Sequence, residues 1–189
     1  HTRLAAVSWA RDVYKRQSLY YASKVIEVFN NEQCDLIISL GDLLYHGPRN
    51  PLPQEYNPKE VASLFNQYKK YFIAVRGNCD SEVDQMLLEF PILADYSTLL
   101  VDGHRFFLTH GHHFHQDVLP PLQAGDILAY GHYHVPLATT KNDIYIINPS
   151  STSLPKAGTN SYGIYEDHTF TIKDFEGKVI DSITFEKTQ

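Results

Sequence analysis

Residues 35–50 read "DLIISLGDLLYHGPRN", a short apolar run that breaks on a glycine and a carboxylate. An apolar run of this length, bounded by turn residues, marks a buried strand. Gly41 lets the backbone leave that strand sharply, because a residue without a Cβ reaches backbone angles closed to the others. Asp42 then stands at the carboxyl end of the strand. Taken alone, it is a turn residue or an N-cap.

Outward from this strand the chain alternates. "LYYASKVIEVFN" (19–30) sets Leu19, Val25, Ile26 and Phe29 at helical spacing, and "RLAAVS" (3–8) before it is extended. On the other side "PKEVASLFNQYKKY" (58–71) is helical and "YFIAVR" (71–76) is extended. That order is βαβαβ and calls for a parallel sheet. From residue 95 the strands "STLLVDGHRFFLTH", "DILAYGH", "LATTKNDIYIIN" and "SYGIYEDHTFTIKDFEGKVIDSITFE" follow one another, punctuated by the turns "VDGH", "KND", "EDH" and "FEGK". Half α/β and half meander predicts a mixed two-sheet sandwich with helices outside.

A chain of 189 residues that is 43% hydrophobic can bury one substantial core, so residues 1–189 are expected to form a single domain. Its formal charge of −6 argues against a broad basic footprint for nucleic acid or an anionic membrane. A bound metal would reverse the field locally. Cys34 and Cys79 form no CxxC pair, which suggests a reducing compartment. No apolar run has the length of a transmembrane helix, and "HTRLAAVSWA" is too short in hydrophobic residues for a secretory signal. The expectation is a soluble, cytoplasmic protein.

Chemistry-bearing residues gather just after the strands: "SLGDLLYHGPRN", "VRGNCDSE", "LTHGHHFH", "YGHYH" and "INPSS". Open α/β sheets place ligand sites beyond the carboxyl ends of their strands, so Asp42, Asn78, His110, His132 and His134 have a physical reason to converge. Each has a bland reading too. Asn78 alone is an Asx-turn. His110 is a satisfied, half-buried imidazole, and His112, His113 and His115 are a solvated loop. His132 and His134, two apart, would share one face of a regular strand and decorate its solvated side. One carboxylate, one carboxamide and three imidazoles at strand ends of the same kind make independent accidents a poor account. Such a nitrogen and oxygen set suits Mn, Fe, Zn, Co or Ni better than Ca or Mg. An aspartate can bridge two ions held roughly 3.5–4 Å apart, the arrangement of two-metal phosphoesterases, where a bridging hydroxide attacks phosphorus in line.

The order GD, GN, H and GHxH resembles the calcineurin-like metallophosphoesterases. More narrowly, "LGDLLYHGPRNPLP" and "VRGNCDSEVDQMLLEFP" resemble that family's small bacterial phosphodiesterases. The resemblance implies an α/β fold, a four-layer α/β/β/α sandwich of two mixed sheets flanked by helices. It implies two divalent ions, manganese first among the candidates. Asp42 would bridge them, Asn78, His110 and His132 would complete the second ion's shell, and His134 would bind the first. A turn, not a strand, would then carry the two histidines. The implied substrate is a small phosphoester.

Two departures from the family pattern bear on activity. Many relatives follow GN with a histidine that steadies the phosphoryl group or protonates the leaving oxygen. Here Cys79 follows, either as a proton donor or as an inert cysteine. Asn78 and Cys79 are the candidates for a catalytic role, and diesters or esters with good leaving groups are the expected substrates. The second departure is the opening D-x-H motif, where Trp9 and Arg11 replace the aspartate and the histidine. Arg11, Lys15 and Arg16 would repel a cation. Asp12 could substitute as a ligand, the chain could be a pseudoenzyme with one ion or none, or residues 9–17 could be foreign to the family sequence. The last reading is favoured because the pattern resumes cleanly at "SLYYASKVIEVF".

His46 and Arg49 in "HGPRN" are candidate substrate-binding groups, an arginine fork being suited to a phosphate oxygen; a surface loop is the alternative. "INPSS", with Asn148, Pro149 and Ser150, reads as a turn shaping the pocket wall. The rival to a metal-dependent phosphodiesterase is a non-catalytic interaction scaffold, a use to which a retromer subunit puts a similar fold. Survival of the second-ion ligands favours the enzyme. No heptad or apolar stripe identifies an interface, so a homo-oligomer stays open.

Overall fold

The computed structural model describes residues 2–8, 18–44, 57–153 and 155–186. Three short strands, β1 (Leu4–Val7), β2 (Leu36–Ser39) and β3 (Phe72–Ala74), lie parallel and are linked by helices α1 (Ser18–Asn31) and α2 (Pro58–Gln67). All four residues of β1 are buried. Leu4 and Ala6 face a second sheet, whereas Ala5 and Val7 face the helices, as a strand covered on both sides requires.

In α1 the stripe Ala22, Val25, Ile26 and Phe29 recurs at helical spacing and is buried against this sheet. In α2 Asn57 caps the Glu60 N–H at 3.2 Å, Pro58 opens the first turn, and Val61, Ala62 and Phe65 are buried. The helical pattern read through Tyr71 finishes as a single 3₁₀ turn, Lys69–Tyr71. A third helix, α3 (Glu82–Leu87), follows β3 and was not expected. Its cause is local: Ser81 Oγ accepts the Asp84 N–H while Asp84 accepts from the Ser81 N–H, a reciprocal cap encoded in "SEVD".

The second half of the chain departs from a simple meander. The hairpins β4 (Tyr96–Val101) with β5 (His104–Thr109), and β7 (Pro136–Lys141) with β8 (Ile144–Pro149), form as read. Asn142 and Asp143 both take left-handed angles in the second turn. Between the hairpins, β6 (Ile127–Ala129) lies parallel to β5 and to β8. All three of its residues, Ile127, Leu128 and Ala129, are apolar and buried, which suits a central parallel strand. The last strands, β9 (Ser161–Glu166), β10 (Thr169–Asp174) and β11 (Val179–Thr184), return to the first sheet, β9 pairing antiparallel with β1. The result is two mixed sheets, ordered β11-β10-β9-β1-β2-β3 and β4-β5-β6-β8-β7.

The sheets enclose a core of Leu4, Ile38, Phe106, Ile127, Tyr165 and Phe170 among others. Helices cover the outer face of the first sheet. The outer face of the second is covered by the segment between β5 and β6, which packs Leu119 and Leu122 onto Leu128 and Ile146. Among the described residues that segment contains no helix. None of the described helices is long and apolar enough to cross a membrane.

Candidate metal centre

The loops leaving β2 and β3 meet backbone to backbone, and two glycines make this contact. A Cβ on Gly77 would stand 2.1 Å from Asp42 Oδ1, and one on Gly41 would stand 2.5 Å from the Gly77 nitrogen. Asp80, 3% exposed, fastens the two loops together. Its Oδ2 accepts the N–H groups of Asp42 at 2.8 Å and Gly77 at 2.7 Å, and its Oδ1 accepts that of Leu43 at 2.9 Å. Burial pushes the Asp80 carboxyl up to about 6, against the opposing pull of these N–H groups. Asp80 is not among the residues that the sequence singles out, because what marks it is the set of N–H donors brought to it by the loop after β2.

His110 is fully buried at the end of β5. Its Nδ1 lies 2.6 Å from the Leu40 carbonyl, which only accepts, so Nδ1 carries a proton and Nε2 is the atom turned toward the cluster. Around that Nε2 stand Asn78 Oδ1 at 3.0 Å, His132 Nδ1 at 3.0 Å and Asp42 Oδ2 at 3.3 Å. Burial disfavours charge on both Asp42 and His110, but their mutual attraction outweighs it. The carboxylate is held below its usual range and the imidazole above. Asp42 Oδ1 also accepts the Cys79 N–H at 2.8 Å. Asn78 turns its amide nitrogen to Cys79 Sγ at 3.3 Å.

The GHYH segment is a turn. β6 stops at Ala129, and both His132 (φ 57°) and His134 (φ 58°) are left-handed. The face-sharing rule of a strand therefore does not govern them. Burial pushes both imidazoles down to about 4, helped by His110 at His132 and by Lys156 at His134. His134 is 7% exposed, and neither of its ring nitrogens has a hydrogen-bond partner.

The structure thus joins four of the five ligand candidates directly, with His134 buried alongside. It also revises one reading: His112 is no solvated loop residue. Its ring lies 5.4 Å from that of His110 and 6.2 Å from that of His132, with a buried Nδ1 that has no partner. Asn148 lines a pocket and donates to the Gly131 carbonyl at 2.8 Å, but it and Pro149 belong to strand β8 and not to the turn read from "INPSS", since they pair with Leu137 and Pro136 of β7. His46, Arg49, Trp9, Arg11, Asp12, Lys15 and Arg16 lie outside the described residues.

As they stand, no three His, Cys, Asp or Glu side chains among the described residues are arranged to hold an ion. The donors nevertheless fit one. Neighbouring ligands on an octahedral ion with bonds of about 2.1 Å are roughly 3 Å apart, and the Nε2 of His110 has three donors at 3.0–3.3 Å. The orphaned nitrogens of His134 add unused ligating capacity beside them.

Residues 12–169 match the family model of the calcineurin-like phosphoesterase superfamily domain. The chain belongs to that superfamily. It is 46% identical over 156 residues to Phosphodiesterase YfcE of Escherichia coli K12, covering 82% of this chain and 85% of that protein. A solved structure of the E. coli phosphoesterase YfcE superposes with a TM-score of 0.91 at 40% identity, covering 98% of this chain and 100% of that one. Phosphodiesterase MJ0936 of Methanocaldococcus jannaschii is 29% identical over 152 residues, covering 76% of this chain and 82% of that protein. The two mixed sheets are those of the calcineurin-like fold.

Proposed function

We propose that the chain is a metal-dependent phosphodiesterase of small phosphoesters, acting in the cytoplasm as a single domain. One divalent ion is held by Asp42, Asn78, His110 and His132. The convergence of three donors on His110 Nε2 carries this reading. The 46% identity to a protein named a phosphodiesterase supports it.

A divalent ion there supplies Lewis acidity and lowers the pKa of bound water. The protein's own part is to hold the ligands ready. The Leu40 carbonyl fixes the His110 tautomer, and the Cys79 N–H and Asp80 fix Asp42 from two directions. Asn78, exposed at the centre, is placed to meet both ion and substrate, with the half-buried Cys79 behind it. His134 would serve a first ion, whose remaining ligands the family takes from the segment that here reads Trp9 to Arg11. Neither a tryptophan nor an arginine can ligate in their place, so we assign one ion and reduced turnover to this sequence. Manganese is the first candidate; Fe, Zn, Co and Ni suit the same donors.

Elemental analysis after equilibration with excess manganese and desalting tests this reading. About one ion per chain, lost in His110→Ala, is the expected result. Two ions would show that another group completes the first half of the site. No ion would overturn the metalloenzyme and promote the scaffold.

A further inference from the structure

Next to the candidate centre lies a pocket of about 270 Å³, walled by Tyr130, Tyr133, Val135 and Leu137 and edged by Gln116 and Asp117. It shares the turn that carries His132 and His134. A chain of ring contacts joins the two: His132 to Tyr133 at 5.3 Å, then Tyr133 to His115, a further lining residue, at 5.3 Å.

The walls and the rim ask for different things. Two phenol rings and two aliphatic side chains offer flat apolar surface. Tyr130 is 3% exposed, so it belongs to the fixed wall of the pocket and not to its rim. At the rim the Gln116 side chain is exposed and offers both a donor and an acceptor. Asp117, 65% exposed at its side chain, offers an acceptor oxygen beside the one that Lys141 holds at 3.0 Å. Paired with Lys141, the Asp117 carboxylate leaves no net positive charge at that edge to hold a phosphoryl group, so the phosphoryl group is not the occupant. An alkyl chain would leave the polar rim unused. A flat ring with a hydrogen-bonding edge uses both, which is the chemistry of a nucleobase. The small volume and the chain's charge of −6 disfavour a nucleic-acid polymer.

We propose that this pocket seats the base of a small nucleoside phosphodiester whose phosphoryl group lies at the His110 and His132 cluster. The proposal rests on the phosphodiesterase reading above. It is tested by comparing kcat/KM, on the manganese-equilibrated chain, for a nucleoside 5′-(4-nitrophenyl) phosphate and methyl 4-nitrophenyl phosphate, which release the same leaving group. A preference of at least tenfold for the nucleoside ester is expected. It should collapse in Leu137→Trp, which fills the pocket, and fall at least threefold in Gln116→Ala, an exposed change. Equal rates in the parent, or a preference untouched by both variants, overturns the pocket assignment. A chain that hydrolyses neither ester defeats only the reading on which the proposal rests. Calorimetry with adenosine 5′-monophosphate and ribose 5-phosphate then decides the pocket. Tighter binding of the nucleotide by tenfold or more, lost in Leu137→Trp, supports it, and equal affinity overturns it.

Discussion

Asp80 holds Asp42 by its backbone: the Asp80 Oδ2 accepts the Asp42 N–H at 2.8 Å and turns the Asp42 side chain free to face His110. The contact joins two loops that leave different strands, so the geometry of the candidate ligands depends on a residue that ligates nothing.

Asp80→Asn keeps the shape but replaces one oxygen by a donor facing backbone N–H groups. Leaving buried donors unpaired costs about 1–3 kcal/mol, and for a chain of this size that lowers Tm by roughly 2–12 °C. Calorimetry should show this loss together with weaker manganese retention. A variant with parental Tm would remove the structural role assigned to Asp80.

Gly77→Ala should abolish manganese binding, because the new Cβ would stand 2.1 Å from Asp42 Oδ1 and 2.3 Å from its nitrogen. Gly125→Ala is the control. It has a left-handed φ of 86° and nothing within 4 Å of the added atom, so its cost is backbone strain of about 1–2 kcal/mol with ion binding retained. Equal ion binding in the two variants would contradict the close approach of the loops.

His104, 2% exposed, shares a 2.8 Å hydrogen bond from Nε2 to His168 Nδ1 between two hairpin turns. Burial, then the neighbouring His168, lowers its pKa from 6.5. Below that value the unfolded chain takes up a proton that the folded chain resists, so the unfolded state binds more protons and stability rises with pH. His104 thus contributes no penalty well above pH 6.5 and a growing one as the pH falls beneath it. Tm measured from pH 7.5 down to 5 should drop less in His104→Gln than in the parent; parallel curves would refute the assignment.

Ser81→Ala removes the hydroxyl that caps α3 directly after Asp80. The expected loss is about 1 kcal/mol, with faster amide exchange in residues 82–87. Unchanged exchange there would mean that the Asp84 half of the cap suffices.

Much of this was legible in the sequence because local chemistry and tertiary demand agree. β1 to β3, α1 and α2 announce themselves by their apolar period, and Asp42, Asn78, His110 and His132 by standing just past strand ends. What escaped detection was set by partners distant in sequence. The parallel placement of β6 depends on β5 and β8. Asp80 looks like any loop acid until the loop after β2 supplies its donors. His112 reads as solvent-facing until His110 and His132 close around it.

The pairing of β9 with β1 governs the order in which the molecule becomes whole during synthesis. β1 lies between β2 and β9, and β9 comes from residues 161–166. Every candidate ligand precedes residue 135. A ribosome therefore releases the full set of donors while β1 is still an open edge, exposed to pairing with other chains. An ion captured at that stage would hold the first loops together before the sheet that supports them is closed.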